Sequence, residues 1–194
     1  MSQFIESICL IDGEVQNLAY HQQRVNETLF THFFSLGGID LREVIPEEKI
    51  EGKAKLRIVY NEQVQKVDLL PYQTKAINSL KLIEANKIDY SFKSADRDAL
   101  NSLFDQRGDA DDIIIVQQGH LTDASYANLA FWDGSDWYTP SRFLLAGTKR
   151  QSLLDKGWIR KTDITMGNYQ SFEKVSLINA MLDLGEVTVP DIQK

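Results

Sequence analysis

The chain has a single cysteine, Cys9, among its 194 residues, so no internal disulfide can form. That usage fits a reducing compartment. No apolar run approaches the ~18 to 20 residues that a membrane-crossing helix needs. The segment from Met1 to Gly13 carries Glu6 and Asp12 without the basic flank of a secretory leader. A cytoplasmic protein without a membrane partner is expected. Clustered Lys and Arg are also missing. Asp and Glu total 28 against 21 Lys and Arg, a formal net charge of -7. An acidic surface repels nucleic-acid phosphates, so no nucleic-acid partner is expected. There is no internal repeat or low-complexity tract, and no metal site is assigned.

What is present suits a folded chain. Apolar residues make up 43% and charged residues 25%, unlike the composition of disorder. Phe4 to Ile11 reads as a strand, Asp12-Gly13 as a hairpin turn, and Val15 to Leu18 as a short second strand. From about Ala19 to Ser35 the period becomes helical. Val25, Leu29, Phe30, Phe33 and Phe34 share one face, with the phenylalanines assigned to the core and Gly37-Gly38 ending the helix. A short helix is expected over Asp40 to Val44. Strands are expected at Lys55–Tyr60 and Gln63–Leu70.

Pro71-Tyr72-Gln73-Thr74 is the best boundary, giving a small domain 1–72 and a larger one 73–194. In the second, Ser79–Glu84, Asp112–Val116, Ala127–Trp132, Val175–Met181 and Glu186–Val189 read as strands. Asp96–Phe104 and Lys149–Lys156 read as helices. The elements do not alternate as regular βαβ units, so the class is α+β.

Four segments carry candidate chemistry. The first runs from Glu6 to Arg24, with His21-x-x-Arg24 at a helix start. The second is Lys93-Ser94-Ala95-Asp96-Arg97. The third is Gly119-His120-Leu121-Thr122-Asp123-Ala124-Ser125-Tyr126-Ala127-Asn128-Leu129. The fourth runs from Tyr138-Thr139-Pro140 to Gly147-Thr148-Lys149-Arg150. Taken singly, each has an ordinary explanation. Lys93 reads as a solvated lysine, because lysines are rarely buried. Arg24 reads as an exposed helix arginine, and Asp123 as a turn aspartate.

In this order and spacing the four resemble the class IV aminotransferases, the fold-type IV pyridoxal 5'-phosphate (PLP) enzymes. That family includes branched-chain and D-amino-acid aminotransferases and aminodeoxychorismate lyases. The resemblance spans about Phe4 to Met181. It implies a two-domain, D-amino-acid aminotransferase-like architecture in which the larger domain carries the cofactor lysine. It further implies a homodimer acting on a small-molecule amine. An N-terminally shortened form is expected, because the chain starts almost at the first motif.

Residue by residue, Lys93 matches the family's catalytic Schiff-base lysine. Arg24 matches its phosphate-binding arginine, whose guanidinium can grip phosphate with two parallel hydrogen bonds. Asp123 falls where the family usually has the glutamate that keeps the pyridine nitrogen protonated. Aspartate is one methylene shorter. Gly147, Thr148 and Lys149 match the phosphate cup at a helix start. Asn179 and Ala180 resemble the last phosphate loop. Ser125 and Tyr126 would lie beside the cofactor, and Asn128 is assigned a structural part. Arg97 and Arg57 are candidates for a substrate carboxylate, equally readable as surface charge.

The expected activity is that of 4-amino-4-deoxychorismate lyase, yielding pyruvate and 4-aminobenzoate. The Lys93-x-x-x-Arg97 pattern and short chain favour that branch. An aminotransferase for branched-chain or D-amino acids is the alternative, followed by a PLP-binding relative without catalysis.

Overall fold

Asp12 and Gly13 both have positive φ, 50° and 83°. That is the backbone of a tight hairpin turn, and glycine adopts it without a Cβ penalty. The turn joins strand β1 (Phe4–Ile11) to the two-residue strand β2 (Glu14–Val15). The computed structural model describes residues 2–48 and 50–193. Two compact units make up the chain: Met1–Thr74 with Phe92–Asp96, and Lys75–Ser91 with Arg97–Lys194.

In the first unit, helices α1 (Leu18–Phe33) and α2 (Leu41–Val44) precede strands β3 (Lys53–Tyr60) and β4 (Val64–Pro71). Among the described residues its sheet has the order β2-β1-β3-β4, every pair antiparallel. Alternate residues of a strand point to opposite faces. Phe4, Ile8, Leu10, Leu56, Ile58 and Tyr60 therefore share one face, and Val25 and Leu29 of α1 pack on it. Glu6 falls on that same core face by alternation and is 0% exposed.

The helix stops earlier than glycine spacing suggests. Phe34, with φ 55°, is the left-handed cap, donating its N–H to the Phe30 carbonyl. That is the 5→1 bond of an αL ending, and the Ser35 N–H reaches the Leu29 carbonyl six residues back. This corrects the core assignment of two phenylalanines. Phe30 is 56% exposed and Phe34 is 88% exposed, while Phe33 is half-buried. Once the helix ends at Phe33, Phe34 no longer follows the helical face.

The second unit holds β5 (Ser79–Glu84), α3 (Asp98–Phe104), β6 (Asp112–Gln117), β7 (His120–Ala124), β8 (Asn128–Trp132) and β9 (Trp137–Pro140). Helix α4 (Thr148–Asp155), β10 (Arg160–Thr162), β11 (Lys174–Asn179), β12 (Leu182–Val189) and β13 (Asp191–Gln193) follow. Among the described residues these strands form one nine-stranded mixed sheet along the path β10-β9-β8-β7-β6-β5-β13, with β11 joining β8 to β12. Strands β5 and β6 run parallel. The apolar run Ile113–Val116 is buried on both faces. Ile114 and Val116 meet Leu80, Leu121 and Leu129, whereas Ile113 and Ile115 meet Leu100 of α3. Burial on both sides explains why this strand reads as a continuous apolar run.

The division falls at Thr74/Lys75, two residues past the expected 72/73. The segment Phe92–Asp96, expected in the larger domain, clusters with the first unit. Backbone bonds cause this: Ile5 N–H donates to the Lys93 carbonyl at 2.9 Å and Ala95 N–H to the Gln3 carbonyl at 2.8 Å. Phe92 adds an edge contact with Phe4, ring centroids 6.4 Å apart. Among the described residues, no helix is long and apolar enough to cross a membrane.

The left-handed Phe34 gives a test. Replacing it by glycine removes a Cβ from a conformation that costs an L-residue about 1 kcal/mol. Phe34→Gly is expected to raise the thermal unfolding midpoint by a few degrees, as read by circular dichroism.

Candidate active site

Two basic side chains of the first unit, His21 and Arg24, are built around Glu6. His21 and Arg24 stand three residues apart on α1, a spacing that puts both on one helix face. Arg24 donates from Nε to Glu6 Oε1 at 2.8 Å and from Nη2 to Oε2 at 2.6 Å. His21 Nδ1 meets Oε2 at 2.6 Å. Burial by itself would raise the Glu6 carboxyl. The adjacent Arg24 charge and the hydrogen bonds from His21 and Arg24 outweigh it and hold the group at about 2. Burial, with Glu6 nearby, pushes the buried Tyr60 phenol upward.

Lys93 lies in the same unit, partly buried, with its carbonyl tied to β1 as described above. Ser94 makes a bridge to Phe4. Arg57 lies elsewhere in this sheet. It pairs in register with Ser7, one residue off Glu6, so it projects from the opposite face.

The second unit centres on Asp123, near the end of β7 and 5% exposed. Its Oδ2 accepts the backbone N–H groups of Leu144 at 2.7 Å and Leu145 at 2.9 Å. Its Oδ1 accepts Asn128 Nδ2 at 2.7 Å, and the same amide reaches the Leu145 carbonyl at 3.0 Å. Burial raises the Asp123 carboxyl. The Leu145 N–H, the Asn128 amide, the Leu144 N–H and the Arg150 charge pull it back, leaving it at about 6.

Gly147 caps α4 directly over Asn128. A Cβ there would overlap the Asn128 amide, so glycine is required by close approach. Thr148 is buried. Lys149 turns to an ion pair with Asp183. Ser125 is buried, and its carbonyl accepts Arg97 Nη2 at 2.8 Å. Arg97 also lies over the Tyr90 ring, 5.6 Å from its centroid. Tyr126 is exposed, and its carbonyl accepts Asn179 Nδ2 at 3.3 Å. Asn179 Oδ1 takes the Met181 N–H across the turn at Ala180.

The structure thus gathers Asp123, Asn128 and Gly147 in one cluster, and Arg97 with Ser125 in another. It sets Arg57 apart from Arg24. Sequence reasoning missed Glu6 and Arg150. Arg150 is buried, donating from Nε to Thr139 Oγ1 at 3.1 Å and from Nη2 to the Pro140 carbonyl at 2.8 Å. A charged residue inside the apolar alternation of Phe4–Ile11 was the available signal for Glu6. Arg150 stands in a surface-like run with no such signal.

The donors and acceptors fit PLP. A carboxylate offers about four lone-pair sites. Asp123 uses two on Oδ2 and one on Oδ1, so Oδ1 can still accept one N–H, as from a protonated pyridine nitrogen. In the first unit, the partly buried Lys93 carries an amine suited to the cofactor aldehyde and Arg24 a guanidinium suited to its phosphate.

Comparison with known proteins agrees. Residues 3–189 match the sequence model of the amino-transferase class IV family. A solved structure from Haemophilus somnus 129pt, provisionally named a 4-amino-4-deoxychorismate lyase, superposes with a TM-score of 0.89 at 34% identity. The match covers 95% of this chain and 98% of that one. A Schizosaccharomyces pombe protein, provisionally named an aminodeoxychorismate lyase, is 27% identical over 88% of this chain and 83% of its own. A hypothetical aminotransferase from Mycobacterium tuberculosis in its PLP-bound form shares the fold, with a TM-score of 0.75 at 15% identity. It covers 98% of this chain and 81% of that one.

Two outcomes test the Asp123 cluster. An aspartate carboxyl ordinarily titrates at 3.8, and here at about 6. The folded state therefore holds the proton more tightly. That contribution to stability is complete below pH ~3.8 and is lost as pH rises through ~6, about 3 kcal/mol for a group this buried. Comparing unfolding of wild type and Asp123→Asn at pH 4 and pH 7 should show the wild type losing that much more between them. Gly147→Ala forces the Asn128 amide aside and is expected to cost about 1–3 kcal/mol by denaturant unfolding.

Proposed function

We propose that this chain, which belongs to the class IV aminotransferase family of PLP-dependent enzymes, is a lyase acting on 4-amino-4-deoxychorismate or a close amine relative. The products are pyruvate and 4-aminobenzoate. The observation that carries this reading is the match along nearly the whole of both chains to the provisionally named lyase.

When bound, PLP supplies an electron-withdrawing ring conjugated to the amine-bearing carbon of the substrate. The residues do the rest. Lys93 binds the cofactor through its amine. That amine would also act as general base, taking the proton from the amine-bearing carbon of the substrate. Asp123, ionised at neutral pH, would support a proton on the pyridine nitrogen. Asn128 and the Leu144 and Leu145 N–H groups hold that carboxylate in place.

Arg24 of the first unit would take the phosphate, and in the second unit the backbone N–H groups at Gly147, Thr148 and Lys149 and at Asn179 and Ala180 are suited to the same anion. Glu6 holds the Arg24 guanidinium through Nε and Nη2. Arg97 serves by holding the Ser125 carbonyl beside the cofactor. A homodimer and a cytoplasmic location complete the reading, both resting on the resemblance and composition.

The test is pyruvate release. The PLP-loaded protein is expected to form pyruvate from 4-amino-4-deoxychorismate without an added keto acid. It should also show a visible absorbance band that borohydride abolishes, with the label on the Lys93 peptide. Lys93→Ala is expected to lose both. A strict requirement for a keto acid would make the enzyme an aminotransferase instead.

A further inference from the structure

A carboxylate on the core face of β1 needs a reason. Glu6 is fully buried among Ile8, Leu10 and Ile58, and burying an uncompensated charge is costly. It is compensated by Arg24 and His21. Replacing such a set by apolar residues is often neutral or stabilising, so stability alone does not account for it.

The geometry supplies another account. The Glu6 carboxylate takes Arg24 through Nε and Nη2 together, a two-point grip that fixes the guanidinium plane as well as its position. Arginine otherwise loses considerable rotamer freedom when a ligand immobilises it. Held beforehand, Arg24 has already met that cost. His21, on the same helix face, contacts the same Oε2 that takes Arg24 Nη2.

We propose that Glu6 is a positioning residue for phosphate recognition: it fixes the plane and position of the Arg24 guanidinium that would meet the cofactor phosphate. The inference rests on the reading of Arg24 as the phosphate-binding arginine. It has an unusual sign. Glu6 is negative, and if net charge alone governed phosphate binding, neutralising it would tighten the site. If orientation governs, neutralising it loosens the site.

The experiment compares the apo protein's affinity for PLP with its affinity for pyridoxal, which has the aldehyde and ring but no phosphate. Absorbance titrations are run on wild type, Glu6→Gln, Arg24→Gln and the double variant. Pyridoxal binding reports whether each variant keeps its fold. A loss of fold weakens both ligands alike, whereas the proposed role moves only their ratio.

The preference of wild type for PLP is expected to fall roughly tenfold in Glu6→Gln, a coupling of ordinary size for contacting residues. Arg24→Gln should lose at least as much, and the double variant should match Arg24→Gln. An unchanged or increased preference in Glu6→Gln overturns the inference and leaves the reading of Arg24 standing. Retention of the preference by Arg24→Gln overturns both. Should Glu6→Gln fail to fold, the double variant, which leaves no unpaired charge, decides. A preference below that of Arg24→Gln shows Glu6 acting apart from Arg24 and overturns the inference.

Discussion

The Asn128 side-chain amide is the contact on which the buried Asp123 cluster of the second unit depends. One NH2 group reaches both the Asp123 carboxylate and the Leu145 carbonyl, and so ties the end of β7 to the loop before α4. That loop returns the favour through the Leu144 and Leu145 N–H groups on the other carboxylate oxygen. A carboxylate with three donors can remain charged in a place where burial would otherwise protonate it. Gly147 is absent of side chain because the amide occupies the space its Cβ would need. Five residues, from β7, β8 and the segment leading into α4, thus constrain one another, and none can change without affecting the rest.

The first unit solves the same problem with different means. Its buried acid is met by full charges rather than backbone dipoles, and its titration is driven down instead of up. The two acids therefore suit opposite tasks. One is locked as a permanent anion holding an arginine in place. The other sits close enough to neutrality to respond to a cation brought beside it.

Much of this was legible from the chain. The Asp12-Gly13 turn, the long helix and the buried run of β6 follow from turn chemistry and hydrophobic period, and each lies within a few residues of its expected place. Strand β7 escaped because its residues were read as a motif around Asp123. Strands β9, β10 and β13 are too short to show a period. The end of α1 escaped because phenylalanine, not glycine, takes the left-handed cap. At the site, residue types were visible but their partners were not. Nothing in the sequence says that Arg24 spends one edge on Glu6, that Lys149 turns to Asp183, or that Arg97 is held by a carbonyl. Those are facts of three-dimensional proximity between residues far apart in number.

The placement of Phe92–Asp96 bears on how the polypeptide could be divided. The chain leaves the first unit after Thr74, comes back for five residues and leaves again. A single cut anywhere in Lys75–Ser91 would therefore strand Lys93 on the opposite fragment from the Ile5 amide that binds its carbonyl. Lys93 and its supporting strand are inherited together only in an uninterrupted polypeptide, so neither unit can be exchanged as a separate module without breaking that attachment.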